Sequence, residues 1–312
     1  MNFIELLLLA AIWGASFLFL RIAAPEFGPF ALIALRVGIA ALVLAPVLRS
    51  AAARSQCGSK AWPLFVVGVS NSAVPFALFA YSTLSVNAGI DSILNATTPI
   101  WAALIAALWF GQAMNRSQAC GLLLGLAGVA VLVWDTAGAG VAGVPLAIAA
   151  ALLAAVCYGF AVNYSKRHLA GVQPLVVAFG SQLFASVVLL PPALLSWPQY
   201  AIAPAIWACV AALGVVCTGF AYILYFRLIE RVGASYAASV TFLIPVFGLI
   251  WGVVFLNEKI TPAMLAGCAI TLLGTALASG KLGTWLPGKR KAKTSPGQQA
   301  SLKKSTDASH NA

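Results

Sequence analysis

Cut wherever Gly, Pro or charge interrupts an apolar run, residues 3–280 fall into ten segments: 3–21, 29–48, 61–82, 86–110, 117–134, 143–164, 174–195, 204–226, 233–255 and 261–280. Each is close to the roughly 20 mainly apolar residues that a helix needs to cross a hydrocarbon core about 30 Å thick. The pattern predicts an all-α integral membrane protein with ten transmembrane helices.

Composition agrees and excludes rivals. The chain is 62% hydrophobic and 8% charged, against about 45–50% apolar and 25% charged in soluble domains. A net charge of +11 could suggest nucleic acid, but a nucleic-acid-binding domain needs a polar face and there is almost none. Five of the six cysteines lie in apolar runs and Cys57 in a short polar stretch, with no zinc or redox spacing among them. The first run carries Glu5 and has no basic residues before it, so it reads as a retained helix and not a cleaved signal.

An even number of crossings puts both termini on one side. If that side is the cytoplasm, the inner loops and tail hold every Lys and Arg except Arg21 and Lys259 outside and Arg36 within the second segment. That is the positive-inside pattern of a multi-pass protein of the bacterial cytoplasmic (inner) membrane. Residues 285–312 are rich in Lys, Ser, Gly and Gln and read as a basic, disordered cytoplasmic tail whose cations can rest on anionic lipid.

The two halves of the chain correspond. YSTLSVNAG (81–89) and YFRLIERVG (225–233) share Tyr, Leu and Gly at like spacing, each at the junction of the third and fourth segments of its half. Trp13-Gly14 matches Tyr158-Gly159, Pro46 matches Pro192, Pro99 matches Pro245, and Gly121 and Gly128 match Gly267 and Gly274. The order predicts a first repeat over 1–139 and a second over 140–284. Five helices per repeat is an odd number, so the copies enter the membrane from opposite sides as inverted five-helix repeats, the architecture of secondary transporters.

Against this frame, WGASFLFLR in the first segment, Arg36 in the second, YSTLSVNAGIDSILNATTPIW across the third and fourth, and FLNEKITPAMLAGCAITLLG across the ninth and tenth resemble the EamA-type drug/metabolite transporter family. The resemblance covers residues 3–280 and implies a metabolite or drug transporter, often an exporter, with a central cavity lined by segments 1 to 4 and 6 to 9. The family's first half usually carries a Gly-Glu pair after the fourth segment. This chain has Gly111-Gln112 there and keeps Asn257-Glu258-Lys259 in the second half. The missing carboxylate reads as loop or cap chemistry.

Asp91 is the acidic residue placed clearly inside a segment, and a buried charge in a membrane needs compensation. Counted from the same face, Asp91 lies roughly 7 to 8 Å deep and Arg36 roughly 10 Å deep at 1.5 Å per residue. Similar depth predicts an ion pair or a shared aqueous cavity, with Asp91 as solute or proton site and Arg36 as its partner. The alternative is a purely structural pair that fixes helix packing. Asn95 and Thr98 continue the Asp91 face toward the midplane. Pro99 and Pro245 are expected to break the fourth and ninth segments at equivalent places, a pointer to a midplane site.

The substrate-binding candidates are Trp13, Ser16, Arg36, Asn71, Tyr81, Asp91, Asn95, Trp101, Asn163, Gln182, Tyr222 and Thr241. Each alone also serves as a packing residue, and Tyr81 also fits an interfacial aromatic belt. The Gly121, Gly125 and Gly128 series marks close helix packing or a homodimer contact. No metal, cofactor or catalytic constellation is expected: there is no HExxH or GxSxG, and the histidines are His168 and His310. The reading is a secondary transporter for a small organic solute, an amino acid, metabolite or drug-like compound, with the proton as one coupling ion. The competing reading is a channel or structural membrane protein without active transport.

Overall fold

A computed structural model describes residues 2–137 and 143–279, and the regular elements among the described residues are all helical. The boundary expected at 139–140 and the basic tail from 285 lie outside the described residues. Seven helical stretches among them are long and apolar enough to cross a membrane, and two further apolar helices, Val240–Leu256 and Pro262–Ala278, are shorter.

The first stretch, α1 (Asn2–Leu44), merges the first two expected segments. Gly28, at φ 69° and ψ 162° between Pro25 and Pro29, breaks it into two arms, a conformation that a residue with a Cβ rarely adopts. The first arm runs past the expected end at residue 21 because the extra turns are buried. Phe27 meets the rings of Trp197 and Trp207 edge-on, with centroids 6.1 and 4.9 Å away. Tyr200 donates a hydrogen bond to the Glu26 carbonyl at 2.6 Å. A 3₁₀ turn (Ala45–Arg49) leads to α2 (Ala51–Ser59), which is only weakly apolar and is capped by the Ser50 hydroxyl.

The third stretch joins α3 (Ala61–Gly68) to α4 (Val74–Ser82) through a π-helical segment, Val69–Ala73. The fourth consists of α5 (Ala88–Asn95) and α6 (Thr98–Phe110). Next come α7 (Arg116–Ala137), α8 (Val144–His168) and α9 (Pro174–Leu195). The eighth stretch joins α10 (Pro204–Ala211) to α11 (Ala221–Val232) through a second π segment, Ala212–Phe220. The ninth is α12 (Ala234–Ala237) followed by α13 (Val240–Leu256), and the last is α14 (Pro262–Ala278). The two π segments lie in the stretches that carry the paired Tyr81 and Tyr225. Such segments are uncommon and recur at functional sites.

The proline expectation needs correction. The fourth stretch does break near Pro99, at Ala96–Thr97, with Pro99 in the first turn of α6, where its missing N–H costs nothing. The ninth breaks earlier, at Ala238–Ser239, and Pro245 sits inside α13. Side-chain hydroxyls add bonds to backbone carbonyls at both breaks. Thr97 and Thr98 donate to the carbonyls of Leu94 and Asn95 at 2.6 and 2.8 Å. Ser239 and Thr241 donate to those of Tyr236 and Ala238 at 2.6 and 2.9 Å.

The glycine series is spent inside the chain. α7 and α14 run in backbone contact: a Cβ at Gly274 would lie 2.6 Å from the Gly125 Cα, and one at Gly128 would lie 2.6 Å from the Thr271 nitrogen. Of the two roles expected for that stripe, internal packing is the one it fills, which leaves it no face for a homodimer contact.

Candidate functional site

The helices line a half-open cavity of about 300 Å³, at the lower end of the range of about 300–1,000 Å³ typical of small-molecule sites. Its wall draws on both arms of α1 (Trp13, Ser16, Phe17, Leu20 and Arg36) and on the third and fourth stretches (Asn71, Phe76, Phe79, Asn95 and Thr98). The later half of the chain contributes Tyr158 and Val162 from α8, Cys217 and Thr218 from the second π segment, Tyr222 and Tyr225 from α11, and Val240, Thr241 and Ile244 from α13. α9, expected in the wall, does not reach it.

Both π segments place polar groups at this cavity. Thr218 donates its hydroxyl to the Leu213 carbonyl at 2.8 Å and accepts from Arg36 Nε at 2.9 Å. Gly214 permits the approach, since a Cβ there would lie 2.6 Å from the Ile39 Cβ and 3.1 Å from the Arg36 carbonyl. From the other π segment, Asn71 donates to the Tyr222 hydroxyl at 3.3 Å. Aromatic rings frame the rest: Trp13 tilts against Tyr225 at 5.2 Å, and Phe79 stacks on Tyr158 at 6.1 Å.

Seven candidates read from the sequence line the cavity: Trp13, Ser16, Arg36, Asn71, Asn95, Tyr222 and Thr241. Five lie outside its wall. Tyr81 is exposed. Trp101 donates to the Thr97 hydroxyl at 3.1 Å. Asn163 staples α8 to α6 through the Ala102 carbonyl at 2.8 Å and donates to the Gly159 carbonyl of its own helix at 2.9 Å. Gln182 staples α9 to the first π segment through Ser72 at 2.8 Å. The fifth is Asp91.

The Arg36–Asp91 pair expected from depth is not formed. Asp91 lies in the first turn of α5, wholly buried, where the positive end of the helix favours a carboxylate. Its Oδ1 accepts from the Ser82 hydroxyl at 2.6 Å, and its Oδ2 has no partner. Arg36 points into the cavity, its guanidinium carbon 4.0 Å from the centre of the Phe76 ring. Depth fixes a position along the helix axis and says nothing about rotation around it.

Replacing Ser82 with Ala leaves both Asp91 oxygens without a donor inside the protein. The expected result is a loss of about 1–3 kcal/mol of stability, read as a lower unfolding midpoint in detergent. Adding Asp91→Asn, which removes the charge, should recover most of it.

Asp91 sits near further polar contacts at the start of α5. Arg21 donates to the Thr83 carbonyl. Glu258, held just past the left-handed Asn257 at φ 55°, accepts from the Ala88 N–H at 3.0 Å and the Gly89 N–H at 3.5 Å. Glu258, the second-half counterpart of Gln112, thus accepts from the first amides of α5 in the other half of the chain. Elsewhere, the start of α1 is tied to α11 by Glu5, which pairs with Arg227 and Arg231 at 3.0 and 2.9 Å.

Comparison with known proteins gives a consistent picture. The family model described as the EamA-like transporter family matches residues 3–134 and 145–280. A probable terminal-alkyne amino-acid exporter of Streptantibioticus cattleyicolor is 25% identical over 94% of this chain and 97% of its own length. An uncharacterized transporter of Archaeoglobus fulgidus is 23% identical over 88% and 96%, and the uncharacterized transporter YvbV of Bacillus subtilis is 26% identical over 88% and 90%. A solved crystal structure covers 90% of this chain and 97% of its own with a TM-score of 0.61 at 22% identity, which shows a common fold.

Proposed function

The chain belongs to the EamA-like transporter family, and from that premise we propose that it exports a small organic solute by alternating access. It is a multi-pass integral membrane protein, and its family and relatives are transporters, not enzymes. The proposed topology is ten crossings as two inverted five-helix repeats, 1–139 and 140–284, with both termini in the cytoplasm of a bacterial cell. The cavity, whose wall draws on both repeats, is the observation that carries the proposal. The paired π segments and the break in each repeat support it, because carriers place their sites where helices are discontinuous. An amino acid is one candidate solute, in keeping with the exporter relative.

The proton is the proposed coupling ion and Asp91 its carrier. Asp91 is a carboxyl group outside the cavity wall with one oxygen unpartnered, and its charged neighbours are Arg21 on α1 and Glu258 beyond α13. The test is counterflow in proteoliposomes preloaded with unlabelled solute from a metabolite panel. A carrier speeds the entry of labelled solute when loaded from the far side, which a channel does not. Asp91→Asn is expected to keep counterflow and to abolish uphill transport driven by a pH gradient. Unaltered gradient-driven transport by the variant removes the coupling role.

A further inference from the structure

Arg36 is the one residue of the cavity wall with a formal charge. It is 5% exposed, and a buried guanidinium needs acceptors for five N–H groups. Nε is satisfied by Thr218, whose hydroxyl is held in that orientation by its own bond to Leu213. Phe76 offers a ring face at 4.0 Å, which attracts the cation but accepts no hydrogen bond in the guanidinium plane. The two terminal nitrogens have no acceptor among the described residues.

Nor does an acid of the described residues come to meet them. Glu5 is engaged by Arg227 and Arg231, Glu258 by the first amides of α5, and Asp91 by Ser82. The chain therefore holds, in its cavity, a cation whose planar two-nitrogen edge is left over. That edge matches a carboxylate, which it can bind by two parallel charge-assisted hydrogen bonds. The remaining wall is aromatic, aliphatic, amide and hydroxyl in character and offers no carboxylate to an ammonium group.

We infer that Arg36 is the anchor for a carboxylate on the solute, so that the site selects monoanionic carboxylates with an apolar or aromatic body over cations. The body lies among Trp13, Phe79, Tyr158 and Tyr225. A single cation in a cavity of about 300 Å³ suits one negative charge. A cationic solute meets Arg36 repulsion with nothing in the wall to offset it. This assignment rests on the proposed transport reading for its biological meaning, but binding tests it separately.

The probes are matched sets of carboxylate, primary amide and primary amine, built on phenyl, indolyl and branched alkyl bodies. Binding to the purified full chain in nanodiscs is followed by tryptophan fluorescence, and counterflow by the assay above. At least one carboxylate is expected to bind about 10- to 100-fold more tightly than its amide, the difference a charge-assisted pair supplies, with the amine weakest. Arg36→Gln should erase the preference for carboxylate over amide. Arg36→Lys, which keeps the charge but loses the fork, should fall between.

Equal affinity for carboxylate and amide in the wild type overturns the assignment, as does tightest binding of the amine or failure of every carboxylate to bind. So does a carboxylate preference that survives Arg36→Gln. Carboxylate binding that follows Arg36 without counterflow of any solute sustains the anchor and defeats the transport reading. Counterflow of neutral or cationic solutes indifferent to Arg36→Gln does the reverse.

Discussion

Gly274→Leu is expected to lower stability by about 3 kcal/mol or more, the upper range for side chains forced into a filled interior. The position has no slack: a Cβ there would sit 2.6 Å from the Gly125 Cα and 2.7 Å from the Gly121 carbonyl oxygen. The neighbours are backbone, so no rotamer change relieves the clash, and α7 and α14 must separate. Thermal unfolding in detergent, followed by circular dichroism, reads the effect. Gly58→Leu is the control, because a Cβ at Gly58 meets nothing within 4 Å. Equal midpoints for Gly274→Leu and wild type would show that α7 and α14 do not touch as described.

Glu258→Ala is expected to loosen the start of α5 from the segment after α13 and so to ease access to the cavity. Two backbone N–H groups at the start of α5 lose a charged acceptor, and the change removes a favourable charge at a helix N-terminus. Together these are worth about 2 kcal/mol, or roughly a 30-fold shift in an equilibrium. Cys217, in the cavity wall, is the natural reporter once the other cysteines are replaced. Its labelling by a membrane-impermeant maleimide, added to sealed proteoliposomes from the Glu258 side, should accelerate by about that factor. Glu258→Gln, which keeps one acceptor, should accelerate it less. Unchanged labelling in both variants would mean that Glu258 caps α5 without governing access.

The helical stretches were legible because lipid imposes a length and an apolar composition, and both are written in the residues. Their interruptions were legible only where a residue forces them, as Gly28 and Pro99 do. The π segments at Val69–Ala73 and Ala212–Phe220 left no such mark, since an extra residue in a turn changes no residue type. For the site, a polar residue in an apolar run was a sound signal of importance but not of direction. Asn71 and Asn163 are the same residue type at mid-helix, yet Asn71 faces the cavity and Asn163 is satisfied by two backbone carbonyls. Rotation about each helix axis decides between them, and π segments and breaks alter that rotation. Phe76 and Phe79 were missed because an aromatic wall residue looks like any other apolar one. Tyr158 was within reach: it is the repeat counterpart of Trp13, and both line the cavity.

The glycine contact between α7 and α14 has a mechanical side. One of these helices comes from the early part of the chain and the other from the late part, and neither lines the cavity. Where backbones touch at glycine after glycine, a sliding motion would drive carbonyls into Cα atoms, whereas a small swing about the line of contact disturbs little. In the proposed alternating access, the pair would serve as a hinge pin and not as a rail. On that motion, separation of the two sides would be widest on the flank farthest from the pair, which takes no part in the cavity wall.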